Sequence, residues 1–168
     1  MTNRHVVLAF IAALAAACTM PAHEHSASAS RQEEVARKGS AVMPFDLMKT
    51  THFFDDDAHG GTETVTANDP GDTQQVALIR SHLAKEALLF ARGDFSDPAA
   101  IHGENMPGLA TLRAAPGKLQ VSYRERPAGA SVVYASEDPA VVAAIHDWFA
   151  AQRADHAAHG HMHGMTMR

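Results

Sequence analysis

Lys49-Thr50-Thr51-His52-Phe53-Phe54-Asp55-Asp56-Asp57-Ala58-His59-Gly60-Gly61-Thr62-Glu63-Thr64-Val65-Thr66-Ala67-Asn68-Asp69-Pro70 lies without a gap on Lys118 to Pro139, at an offset of 69. Lys49 falls on Lys118, Phe54 on Tyr123, Gly60 on Gly129, Thr62 on Ser131, Val65 on Tyr134, and Asp69-Pro70 on Asp138-Pro139. Met48 to Asp55 and Thr62 to Ala67 are rich in β-forming residues around an Asp- and Gly-rich turn. Leu119 to Arg124 and Ser131 to Ala135 flank Pro127-Ala128-Gly129 in the same way. Each hairpin then enters Asp-Pro, where the acid can cap free amides and Pro suits a first turn that needs no donor.

Helical stripes follow. Val76, Ile79, Leu83, Ala87 and Phe90 share a face over residues 73–92, closed by Gly93; Val142, Ile145, Trp148 and Phe149 share one over residues 139–155. The first entry is three residues longer, so the helices align at an offset of 66, with Ile79 on Ile145 and His82 on Trp148. This pattern predicts an α+β domain over residues 44–155. It is a duplicated ββα unit forming a four-stranded antiparallel sheet, with two main helices on one face. Short helices are expected from Asp97-Pro98 and from Leu109 to Ala115.

Outside that domain, Arg4 and His5 precede an apolar run from Val6 to Ala17, too short to span a bilayer that needs about 20 residues. Residues 1–17 read as a signal peptide. The run ends Leu14-Ala15-Ala16-Ala17-Cys18, which resembles a bacterial lipoprotein signal with Cys18 as the lipidated residue, although Ala15 stands where Leu is usual. Thr19 after the Cys favours, by the same resemblance, an outer-membrane lipoprotein facing the periplasm. Residues 18–43, rich in Ala, Ser, Glu and Arg, read as a flexible tether. The single Cys excludes an internal disulfide and Cys-based zinc sites, and a net charge of −5 argues against nucleic acid as a partner.

Against this background 12 His and 8 Met are unusual. The duplication singles out two of them, because His52 stands where the second copy has Val121, and His82 where it has Trp148. Both are expected at the sheet–helix interface or its edge. His82 and Glu86 share a helical face, and His102 and Met106 lie on the Gly- and Pro-bounded segment that follows. Imidazoles with a carboxylate suit zinc; imidazoles with a thioether suit copper. A second cluster, His156, His159, His161, Met162, His163, Met165 and Met167, fills the tail at residues 156–168. Its imidazoles bind Cu(II), Ni(II) or Zn(II), and its thioethers hold Cu(I). His23-Glu24-His25 beside Met20 is a smaller version near the proposed anchor.

Enzyme motifs are scarce. The chain has no Gly-x-Ser-x-Gly elbow, phosphate-binding loop, His-Glu-x-x-His helix or dinucleotide-binding turn, and Asp55-Asp56-Asp57 lacks the remaining features of an EF-hand.

Met43-Pro44-Phe45-Asp46-Leu47, Thr50-Thr51-His52, residues 75–83, residues 93–103 and Met106-Pro107-Gly108-Leu109 together resemble a family of small bacterial proteins often labelled aspartate carbamoyltransferase. The chain has no counterpart of that transferase's Ser-Thr-Arg-Thr-type loop or His-Pro-x-Gln segment. The resemblance therefore implies a shared domain over residues 43–156, with the signal and the His/Met tails outside it, and brings no mechanism. The expectation is an exported, lipid-anchored metal-binding protein with copper favoured. The alternative is a small periplasmic enzyme with a pocket of His52, His82, Glu86 and His102.

Overall fold

The computed structural model describes residues 22–160, with side chains from 27 to 156. Helix α1 covers Ala22–Val42; a short 3-10 turn at Leu47–Lys49 leads into strand β1, Thr50–Asp57, and β2, Gly60–Ala67. Then come α2 at Thr73–Phe90, α3 at Ser96–His102, α4 at Leu109–Arg113, β3 at Gln120–Arg126, β4 at Gly129–Ala135 and α5 at Pro139–Gly160. The four strands form one antiparallel sheet in the order β1-β2-β4-β3. The α+β architecture is as expected, and the element order is compatible with a duplicated ββα unit. An offset of 69 carries Thr51–Asp57 onto β3 and Gly60–Thr66 onto β4.

Local chemistry explains the helix starts. The Asp72 carboxylate accepts from Gln75 N–H at the head of α2, and Asp138 accepts from Ala140 N–H at the head of α5. Side chains alternate across the sheet. Val65, Val132 and Tyr134 face the helices and are wholly buried, whereas Phe53 on the other face is 44% exposed. Helix α2 packs chiefly over β3 and β4, and α5 over β1 and β2, so each main helix covers the other hairpin. Their rings meet at Tyr134, whose centroid lies 6.1 Å from Phe90 on α2 and 5.5 Å from both Trp148 and Phe149 on α5. Edge-to-face pairs of this kind add directional attraction to the area they bury.

The boundaries differ from expectation in three places. Residues 22–42, expected as a tether, form α1. Arg31, Val35 and Gly39 recur every four residues; Val35 is 2% exposed, and the helix lies against α5 and α3. The polar sequence lacks a broad apolar stripe, so docking rather than intrinsic periodicity supports the helix. Helix α5 continues beyond Asp155 to Gly160, so the domain does not end at 155 and the first tail histidines belong to a helix. On α5, Val141 is buried rather than Val142. Among the described residues no helix is long and apolar enough to cross a membrane. Cys18, Met20, His161, Met162, His163, Met165 and Met167 lie outside the described residues.

Candidate functional site

A cavity of about 40 Å³ lies between the sheet and helices α2, α3 and α5. His52 reaches it from β1, Glu63 from β2, His82 and Glu86 from α2, Asp97 and His102 from α3, and Trp148, Gln152 and His156 from α5. Four of the internal residues singled out by sequence, His52, His82, Glu86 and His102, are thus brought around one space. Met106 is not; it is 8% exposed within the apolar core and does not line the cavity. His159 falls within α5, but its side chain is not among those described.

The walls pair residues that the sequence offsets match. Offset by 66, His82, Glu86 and Phe90 on α2 correspond to Trp148, Gln152 and His156 on α5, and all six line the cavity. Four-residue spacing sets each trio on one helical face. The cross-strand neighbours Glu63 and Val132 also line the cavity, and they correspond at an offset of 69. Positions matched by those offsets thus build opposing walls.

At the outer end three imidazoles cluster. His156 stacks on His52 with centroids 4.8 Å apart and meets His102 edge-on at 5.2 Å. Phe45 lies 5.6 Å from His82 and 6.1 Å from His52. His102 Nδ1 lies 2.7 Å from Asp155 Oδ2, and its side chain is 2% exposed. The same carboxylate receives Arg31 through Nε at 3.0 Å and Nη2 at 2.7 Å, while Nη2 also donates to His102 O at 2.6 Å. Helix α1 therefore braces the histidine from behind. Burial drives the His102 imidazole below its usual range against the pull of Asp155, and burial with the nearby Lys85 does the same to His82. Burial alone would raise Asp155, but its bonds to Arg31 and His102 bring it below the ordinary carboxylate range.

The Glu86 end is acidic and poorly satisfied. Burial, with Asp97 beside it, pushes Glu86 up to about 7; burial also pushes Glu63 up to about 7, although Tyr134 Oη donates to it at 3.0 Å. Among the described residues, both Glu86 oxygens, Trp148 Nε1 and Gln152 Oε1 lack a hydrogen-bond partner. Lys85 Nζ stands 3.3 Å from Glu86 Oε1 without an aligned bond, and 3.0 Å from Asp97 Oδ2. No group of three or more His, Cys, Asp or Glu among the described residues is arranged to hold a metal ion.

Sequence reasoning missed Gln152, Glu63, Asp97, Asp155 and Arg31. Gln152 was accessible, because the offset pairing His82 with Trp148 also pairs Glu86 with it. Arg31 and Asp155 are 124 residues apart and leave no local pattern.

Fold and cavity define an α+β domain with a small pocket lined by imidazoles and carboxyl groups. No protein-family model, curated protein or solved structure matches the chain.

Proposed function

We propose that the protein binds a transition metal, with copper favoured and zinc or nickel as alternatives, in storage, detoxification or delivery. It acts facing the periplasm, anchored in the outer membrane by a lipid on Cys18. The observation that carries this reading is the position of His156. This first histidine of the His/Met tail lies in ring contact with both His52 and His102. Two imidazoles sharing an ion at about 2.0 Å per bond have centroids about 5 Å apart, close to the separations here. The rings must turn to share it, since His52 and His156 are nearly parallel at 12°. The tail captures the ion, and His52, His102 and His156 receive it, with His82 and Glu86 lining the same cavity. Metal analysis by mass spectrometry of the chain purified from cell envelopes tests this. At least one tightly held copper per chain is expected, and protein that remains metal-free after copper-supplemented growth contradicts it.

A second reading has its own observation. Asp155 fixes the tautomer and orientation of His102, as a carboxylate does for a general base. A small enzyme using His52, His82, Glu86 and His102 remains the alternative, and hydrolytic turnover abolished by His102→Gln would favour it.

A further inference from the structure

On α5, Trp148 and Gln152 are one helical turn apart; Glu86 lines the same cavity from α2. All three are at least nine-tenths buried, at 0%, 5% and 5% exposure. Among the described residues the indole N–H and Gln152 Oε1 make no hydrogen bond, and the Glu86 oxygens make no aligned one, although the Lys85 ammonium stands 3.3 Å from one of them and the Asp97 carboxyl lies beside them. Buried polar atoms are ordinarily paired, so orphans from two opposed helices around one space mark a place for a partner. We propose that the cavity binds a small neutral primary amide, its carbonyl accepting from Trp148 Nε1 and its NH2 donating to Gln152 Oε1 and the Glu86 carboxylate.

The inventory selects this class. With Glu86 ionised, the orphaned atoms are one donor and several acceptors, which call for a ligand with one acceptor and at least two N–H groups. A carboxylate or phosphate supplies no donors and meets Glu63, Glu86 and Asp97 in a lining without Lys or Arg. An alkylammonium supplies donors but nothing for the indole N–H. An apolar guest leaves every orphan unpaired. The 40 Å³ space holds about three waters, or one molecule of a few heavy atoms. Phe90, Leu83 and Val132 provide apolar wall for a short alkyl group. The inference does not depend on a metal at the rim.

Trp148 is the chain's only Trp, so its fluorescence and its single indole N–H resonance report directly on the site. The test uses the full mature chain, kept metal-free with chelator, titrated with acetamide, acetate and methylammonium in parallel. Acetamide is expected to give a saturable change and move the indole resonance at concentrations at least about fivefold below either control. Gln152→Met, which keeps length and loses the acceptor, is expected to weaken acetamide by about fivefold or more. Should that variant not fold, a nuclear Overhauser contact between the indole N–H and the acetamide methyl in the unmodified chain decides the matter. No saturable response, equal responses to the controls, undiminished binding in folded Gln152→Met, or absence of the Overhauser contact would each overturn the proposal. The cavity would then hold water only.

Discussion

Glu63 illustrates how one residue sets a property of the whole. It sits on a central strand opposite Val132, half-buried as a residue, with its carboxyl bonded to the wholly buried Tyr134. Its folded value of about 7 stands above the ordinary 4.5. Between those values the folded state holds a proton that the unfolded chain has released, so stability falls as pH rises from about 4.5 through 7 and levels off above. Glu63→Gln removes the ionisation while keeping an acceptor for Tyr134. Thermal melts should show the variant more stable at pH 8 by roughly 1 to 2 kcal/mol, discounted for partial exposure, and little changed at pH 4. Equal melts at pH 8 would contradict this. His82 and His102 act at the other flank, because imidazoles held neutral by burial cost stability as pH falls below 6.5.

Among elements, α1 and α4 each rest on contacts that single substitutions can test. Arg31 clamps Asp155 with two bonds and so ties α1 to α5 and to His102. Asp155→Ala leaves His102 Nδ1 without its carboxylate and Arg31 with only its bond to the His102 carbonyl; a loss of about 1 to 3 kcal/mol by urea unfolding is expected, with faster tryptic cleavage within residues 22–42. An unchanged cleavage rate would show that other contacts hold the helix. Gly108 precedes α4 at φ 76°, and a Cβ there would lie 2.0 Å from Ala144 O of α5. Gly108→Ala therefore forces the helices apart and should cost at least about 2 kcal/mol in the same assay. The strands and two main helices were legible because β-rich runs, Asp-Pro entries and apolar stripes are local signals repeated twice. Helix α1 was not, because its docking rests on Arg31, Val35 and Gly39, too narrow a stripe to stand out from a solvated tether.

At the scale of the molecule, the sequence offsets of 66 and 69 also pair residues across the cavity, so the pocket lies between positions that those offsets match. That explains why comparing His52 with Val121 and His82 with Trp148 led towards it. Comparison could not supply Asp155 or Arg31, whose role comes from the tertiary meeting of distant helices, nor separate Met106 from a ligand set, since packing alone puts it in the core. Helix α5 joins cavity and tail into one unit, with His156 belonging to both. Isothermal titration of Cu(II) into the full chain, the His52→Ala/His156→Ala variant and a chain ending at His156 tests this most directly. The chain ending at His156 should retain one tight site and lose only the weaker additional ones, while the double variant should lose that site by about a hundredfold or more in affinity. Tight binding unchanged in the double variant, or abolished by removing residues 157–168 alone, would contradict it.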